Sequence, residues 1–301
     1  MRNRSVYIGS RGICNKTDTY SKYDPESGVP FMLACSNVTV TNDGTVKRRA
    51  GYAKILDGAD NLFEYQGYVL YSKQGNLYRL DVETHISDIL GYVGFGKIHY
   101  YEDKTDRVFI ISVEGKYVLK DNILDVWGRC SRNSTFGDNR EFSSVPALAT
   151  KTFGFKGYYG VVVDDYLFFS EPFDPYTWVY DEGNINCGTA IRMVLEVDHG
   201  LYVSNQNEII FFSGNTPEEL TPKVVWKRPA VDGTAQPVTQ NEINDTLVSA
   251  QGYVVTTADA VILLSADGNA YELSQHIEIP EGKTGSSMVI DGLYIVNIRE
   301  I

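Results

Sequence analysis

Residues Asn61 to Leu90 read NLFEYQ-GYVLYSKQ-GNLYRLDVE-THISDIL, and this stretch decides the fold. Gly67, Gly75 and a polar turn near Thr84 cut it into four short runs. Tyr78, Leu80 and Val82 alternate with Arg79 and Asp81, the period-two pattern of a strand with one buried face. Four such strands joined by tight turns predict one small antiparallel sheet.

The pattern returns downstream. Lys97 to Gly128 reads KIHYYED-KTDRVFIISV-EGKYVLKDN-ILDVWG, with a very apolar second run from Val108 to Val113. A third copy runs from Lys156 to Gly188, with Val161 to Val163 and Tyr166 to Phe169 as its apolar runs. A fourth covers Ile191 to Lys227 and a fifth Thr246 to Ile279. A unit of about 40 residues with four strands is the period of propeller blades. One such sheet cannot bury both faces alone, and stacking against the next sheet does so.

The two ends each carry half a unit. Ser287 to Ile298 reads as two strands around Asp291-Gly292. Asn37 to Tyr52 reads as two β-branched runs around Asn42-Asp43-Gly44, a strong hairpin signal. The expectation is therefore an all-β, six-bladed β-propeller of four-stranded antiparallel blades. Its last blade is closed by N- and C-terminal strands, with Val38 to Thr41 in one sheet with Leu293 to Ile298. Residues 1–301 are expected to form a single propeller domain. Segments 9–32, 129–150 and 229–244 do not fit the repeat and are expected to be irregular contact loops on its rim.

Composition excludes several functions. The chain has 301 residues, 43% of them apolar, with 21 Tyr and 27 Gly, as suits a strand-and-turn protein with a real core. Its net charge is −12, and sequence-independent nucleic-acid binding would need a basic surface. The cluster Lys47-Arg48-Arg49 reads as a strand edge carrying charges that deter aggregation. No apolar run reaches the ~18 residues of a spanning helix, and Met1 to Ser5 is not followed by an apolar stretch, so neither membrane insertion nor a signal peptide is expected. Cys14, Cys35, Cys130 and Cys187 show no zinc-type spacing and read as free thiols of a reducing cytosol.

The candidate chemistry is thin. Ser170 to Trp178 invites comparison with the Asp-containing turns of sialidase-like propellers, but the Gly expected between Asp and Trp is missing. Asp174 then reads as the start of a turn with Pro175, and Trp178 as packing between blades. Asp164 and Asp165 are adjacent, so on a strand they would face opposite ways and could not flank a glycosidic bond; they read as a turn. His85, His99, His199 and His276 are scattered without metal spacing. Calcium in the acidic turns near Asp121 or Asp267 stays an open alternative, with a spacing that is not that of an EF-hand loop. No phosphate loop, dinucleotide fingerprint or nucleophile elbow occurs. The chain is expected to be no enzyme, with no catalytic, cofactor-binding or metal residues and no cofactor.

Residues 33 to 52, LACSNVTVTNDGTVKRRAGY, resemble the N-terminal segment of virion proteins of tailed bacteriophages. The matching positions are Ala34, Asn37, Val38, Gly44, Arg48, Arg49, Gly51 and Tyr52; many relatives have Pro where this chain has Ala50. Tyr166 to Trp178, with its Ser-x-Pro-x-Asp-Pro-x-x-Trp run, also resembles that group, as do Gly200 to Ser204 and Ile209 to Gly214. The general plan is similar to the propeller-bearing tail hub and nozzle proteins of short-tailed phages. The resemblance implies a structural component of the tail or head-to-tail assembly through which DNA passes. It would be located in the virion (tail or neck) and made in the host cytoplasm. It implies as partners copies of the chain in a ring, other virion tail or connector proteins, and packaged DNA that passes without specific binding. A negative chain fits such a passage, because anionic walls repel phosphates. Two other readings are a distal tail or receptor-contacting adaptor and a carbohydrate-active propeller.

Overall fold

The computed structural model describes residues 38–40, 46–48, 55–128, 142–180, 183–239, 252–274, 279, 282–290 and 293–299. Two short strands, β1 (Val38–Val40) and β2 (Val46–Arg48), pair antiparallel, Val38 opposite Arg48. This is the hairpin that Asn42-Asp43-Gly44 predicts. The chain forms two compact units, Lys54–Lys227 and a second made of Met1–Ala53 with Arg228–Ile301.

The unit Lys54–Lys227 holds four sheets in chain order. The first is β3 (Asp60–Tyr65), β4 (Tyr68–Lys73), β5 (Asn76–Asp81) and β6 (Ser87–Tyr92). The second is β7 (His99–Glu102), β8 (Val108–Ile111), β9 (Lys116–Lys120) and β10 (Ile123–Val126). The third contains β11 (Phe142–Ser143), β12 (Lys151–Phe155), β13 (Tyr158–Val163), β14 (Tyr166–Glu171), β15 (Asp174–Val179) and β16 (Ile185–Asn186). The fourth is β17 (Met193–Val197), β18 (Gly200–Ser204), β19 (Ile209–Ser213) and β20 (Thr221–Trp226).

The first, second and fourth sheets are antiparallel meanders, as is β12–β15 within the third, because connections this short permit nothing else; β11 and β16 add to β15 and β14 from outside that meander. Between β3 and β4, Gln66 and Gly67 both have positive φ (51° and 77°), and between β4 and β5 so do Gln74 and Gly75 (52° and 79°). Positive φ at both central residues is the primed turn whose twist matches the flanking strands, which is why each carries Gly second. Neighbouring sheets meet along their first strands: β3 with β7, β7 with β12, and β12 with β17. The second strands are sandwiched between sheets, so Val108, Phe109, Ile110 and Ile111 are all buried, whereas the fourth strands β10 and β20 are largely exposed. A continuous apolar run marks burial on both faces, where alternation marks one.

Three separate cores fill the gaps between these blades. Leu70, Leu77, Ile98, Ile110 and Leu119 join the first to the second. Phe109, Trp127, Tyr159 and Trp178 join the second to the third. Phe153, Phe155, Leu167, Leu201 and Phe212 join the third to the fourth.

The second unit contains one further four-stranded sheet, β21 (Gln236–Val238), β22 (Gly252–Thr256), β23 (Val261–Leu264) and β24 (Ala270–Ser274). Its core is Val238, Val254 and Leu263. The hairpin of β25 (Thr284–Ile290) and β26 (Leu293–Arg299) packs Val289 and Tyr294 against that core. The Tyr294 hydroxyl bonds the Thr234 carbonyl and lies 3.0 Å from Thr256 Oγ1, and Gly285 N–H donates to the Asp232 carbonyl at 2.8 Å.

The chain is therefore all-β with small antiparallel sheets arranged as propeller blades, but the described residues form five blades rather than the six expected, four of them four-stranded and the third six-stranded. Among the described residues, no ladder joins β1 to β26; each pairs instead with its sequence neighbour. A turn of a few residues closes a local ladder at far lower entropic cost than a pairing across the whole chain. Half-units with the right alternation read the same in either arrangement.

Two of the expected irregular loops are partly structured. In 129–150, Phe142–Ser143 adds to β15 opposite Val179 and Trp178, and Val145 and Ala149 are buried in the core beside Trp127. In 229–244, Gln236–Val238 is the first strand of its sheet, and Ala230 bridges to Thr257. Gly233 and Pro237 punctuate that stretch and hide the strand from a pattern reading. Segment 9–32 lies outside the described residues.

Candidate functional site

The run Ser170 to Trp178 crosses from β14 into β15, and it is built as a joint. Asp174 Oδ1 accepts the Tyr176 backbone N–H at 3.0 Å, and Oδ2 accepts the Thr177 hydroxyl at 2.8 Å. Both oxygens thus hold the first turn of their own strand. Next to it, the Pro175 carbonyl accepts two indole N–H groups, Trp178 at 3.0 Å and Trp127 at 2.9 Å. The two rings lie 6.1 Å apart, and both are among the most deeply buried side chains. Trp127 follows β10, so one carbonyl in the third blade satisfies an indole from each of two blades. A buried N–H without an acceptor would cost about 1–3 kcal/mol, which explains why Pro175 serves both. Trp178 packs between blades, as its sequence context suggests.

A polar cluster lies on the same interface. Asp103, buried at the β7–β8 turn, accepts the Thr105 N–H and hydroxyl and the Arg107 N–H on Oδ1. Its Oδ2 accepts Arg107 Nε at 2.8 Å and the Tyr159 hydroxyl at 2.7 Å. Arg107 Nη2 donates to the Tyr159 oxygen at 2.8 Å, closing a triangle from the second blade to the third. Burial works against the Asp103 charge, but the bonds from Tyr159, Arg107 and Thr105 outweigh it and hold the carboxyl below its ordinary range. Burial first, and the Asp103 carboxylate second, push the Tyr159 phenol well above its usual range. The triad is thus Asp⁻, Arg⁺ and neutral Tyr, fully paired and without a group poised to exchange a proton.

The other residues that drew attention stand apart from one another. Asp164 (φ 53°) and Asp165 form the β13–β14 turn, and Asp165 Oδ2 accepts the Asn186 amide at 2.9 Å. His85 sits at positive φ (58°) in the β5–β6 turn. His99 Nε2 lies 3.4 Å from Lys151 Nζ between two first strands. His199 is exposed in the β17–β18 turn, and His276 lies outside the described residues. Asp121 (φ 50°) makes a two-residue turn with Asn122, and Asp267 is engaged by Ser265 and Asn269. Cys187 is a buried free thiol whose pKa burial raises to about 12; Cys14, Cys35 and Cys130 lie outside the described residues. Lys47 and Arg48 are on β2, while Arg49 lies outside the described residues. Among the described residues, no three His, Cys, Asp or Glu side chains gather as metal ligands. No helix among them is long and apolar enough to cross a membrane.

One cavity escapes sequence reading. It has a volume of about 240 Å³ and lies between the β14–β15 end of the third blade and the 3-10 turn Pro217–Glu219 of the fourth. Its accessible lining is mostly polar, with Glu171 and Glu218 at the surface and Phe169, Val179 and Pro217 largely buried behind. The one sequence signal was Thr216-Pro217-Glu218-Glu219, which reads merely as a capped turn.

No protein-family model matches the chain, and no curated protein matches its sequence. Solved structures are similar to parts of the chain, and the first of them bears on its fold. The extracellular domain described as that of a hybrid two-component system of B. thetaiotaomicron is similar over 92% of this chain and 41% of its own, at 11% identity and a TM-score of 0.51. An auxiliary nutrient binding protein from Bacteroides ovatus is similar over 71% of this chain and 56% of its own (9% identity, TM-score 0.44). Hsv2 of Kluyveromyces lactis is similar over 72% and 64% (12% identity, TM-score 0.43). The chain thus spans 41% to 64% of the length of these structures, and likeness at such identities concerns the fold alone.

Proposed function

We propose that this chain is a structural component of a tailed-phage virion, part of the tail or head-to-tail assembly through which DNA passes. The observation that carries the reading is where the phage-like run Tyr166–Trp178 falls. Its Asp174 and Pro175 are spent on holding a strand turn and two buried indoles, so the motif serves to lock blades together. A motif used in this way suits a protein that acts by assembly. A net charge of −12 is compatible with a passage that DNA traverses without binding. In this reading the hairpins β1–β2 and β25–β26 close the series of blades, and copies of the chain and other virion proteins are its partners.

The test is particle location. Phage particles from the host carrying this gene, banded in a density gradient and probed with antibody to the chain, should contain it in fixed stoichiometry to the major capsid protein. Its absence from intact particles that are infectious would overturn the reading.

A further inference from the structure

The fourth strand of each blade is a sheet edge, and an edge offers unpaired N–H and C=O groups to any other extended chain. Four of the five described blades carry a device that blunts it. The β5–β6 ladder shifts register between Leu77 and Tyr78. β20 combines a shift at Ile209/Ile210 with Pro222 and Lys223 on the strand itself. The β23–β24 ladder shifts between Val261 and Ile262. The β14–β15 ladder shifts between Ser170 and Glu171, and β11 covers the free side of β15. β10 has none of these. Its residues, Ile-Leu-Asp-Val, pair one to one with β9 and include neither Pro nor Lys. Among the described residues no strand takes its other edge. Ile123 and Val126 are 62% and 74% exposed, and Asp125 is exposed between them.

The ladder fixes where the free groups point. Asp121 and Asn122 (φ 50° and 64°) form a two-residue primed turn, so Lys120 and Ile123 exchange hydrogen bonds across it. At the other end the Trp127 N–H donates to the Lys116 carbonyl at 2.9 Å. Alternation then turns the amides and carbonyls of Ile123, Asp125 and Trp127 towards β9, and those of Leu124 and Val126 away from it. Two residues, two apart, thus present a donor and an acceptor each on an open edge. An extended backbone has the same spacing. In the next blade the chain supplies such a strand to itself, where Phe142–Ser143 lies antiparallel along β15.

A second copy of β10 does not suit this edge. The register that pairs Leu124 with Val126 in both directions sets the two Asp125 carboxylates directly opposite, and like charges opposite one another destabilise a ladder. The complement is a strand with a cation opposite Asp125 and apolar residues opposite Ile123 and Val126. Read from N to C along an antiparallel partner, that is apolar, Lys or Arg, any residue, apolar. We infer that β10 is a docking edge for an extended segment of another polypeptide with this pattern, added as a fifth strand to the second blade. The inference is independent of the virion reading.

The experiment is a titration of the full-length chain with the end-blocked peptide Thr-Val-Lys-Thr-Val-Thr, followed by the amide signals of Leu124 and Val126. This peptide should shift both signals saturably at millimolar concentration. The same peptide N-methylated at its first valine and central threonine keeps its side chains but loses the two donors opposite Val126 and Leu124, and it should shift neither. Glu in place of Lys should weaken binding about threefold or more, and Asp125→Lys should reverse that order. Val126→Pro removes a donor that β9 does not use, so it should abolish the response at Leu124 while the thermal transition of the chain stays unchanged. Should the proline variant melt early, the reversal by Asp125→Lys, at an exposed position, still tests the site. No saturable response to the first peptide, equal shifts with the N-methylated one, or a charge preference that Asp125→Lys leaves unaltered would each overturn the site. A dimer in sedimentation equilibrium that Val126→Pro converts to monomer would overturn the assignment to another polypeptide in favour of a second copy.

Discussion

The interface between the first and second blades and that between the second and third do the same job with different materials. The first is mainly aliphatic: Leu70, Leu77, Val93, Ile98, Val108, Ile110 and Leu119. Its buried Tyr65 reaches the Asp106 carbonyl at 2.8 Å. The second stacks Phe109, Trp127, Tyr159 and Trp178, and adds the shared Pro175 carbonyl and the Asp103–Arg107–Tyr159 triangle. Aliphatic contacts are non-directional and scale with area, so direction in the first interface is left to a few less buried bonds, from Tyr65 and from the Ile98 N–H to Asn61 Oδ1 at 3.1 Å. Hydrogen bonds to buried indoles and a paired guanidinium accept only a narrow geometry. The second interface therefore sets orientation as well as adhesion.

The comparison can be broken most forcefully at Trp178. Trp178→Ala should cost about 3–5 kcal/mol in urea unfolding, from lost burial and the cavity left behind. A loss under about 1 kcal/mol would mean that the neighbouring blades repack freely there. Arg107→Ala comes next, at about 2–3 kcal/mol, because it leaves the Asp103 carboxylate buried without its cation; Arg107 is partly exposed, which moderates the effect.

The same carboxylate makes a pH prediction. The folded-state pKa of Asp103 is depressed, so its stabilisation is fully present above the ordinary carboxylate range and is lost as pH falls through the folded value. Asp103→Asn should thus be clearly less stable than the parent at pH 7, and the gap should narrow steadily in melts taken towards pH 3. A gap independent of pH would show that Asp103 contributes by shape alone. Tyr159→Phe should cost about 1 kcal/mol by removing one corner of the triangle. Smallest of all, Leu70→Met in the aliphatic interface should cost less than about 1 kcal/mol, since volume is kept and no direction is lost.

Much of this was legible in the sequence, and the line between what was and was not follows the range of the interaction. The X-Gly turns and the apolar run from Val108 are local, and they predict the blades, although the run ends at Ile111 and leaves Val113 exposed; the alternation read at Tyr78, Leu80 and Val82 does not hold, because Val82 is exposed beyond β5 and the buried residues of that strand are Leu77 and Leu80. The placement of Trp178 between blades also follows from its local context. The partners were not legible. Trp127 and Pro175 are 48 residues apart in sequence and Asp103 and Tyr159 are 56 apart, and no period connects them. The blade count failed for a related reason: the half-units at the two ends show what they are but not what they pair with. The cavity at Glu171 and Glu218 was invisible because its walls come from two blades whose sequences are each ordinary.

Gly154 and Tyr101 carry a consequence for how such a chain could have grown. A Cβ on Gly154, fourth residue of β12, would sit 2.0 Å from the Tyr101 hydroxyl, so a phenol from the second blade occupies the space that the third blade leaves vacant. Any blade placed third would have to carry glycine where Gly154 stands, because a side chain there would meet that phenol. The second and third blades are therefore not interchangeable units of inheritance: the third is fitted to its predecessor. Duplication or shuffling of this gene would succeed only where tyrosine and glycine changed in concert, so recombination boundaries between relatives should avoid the junction of the second and third blades.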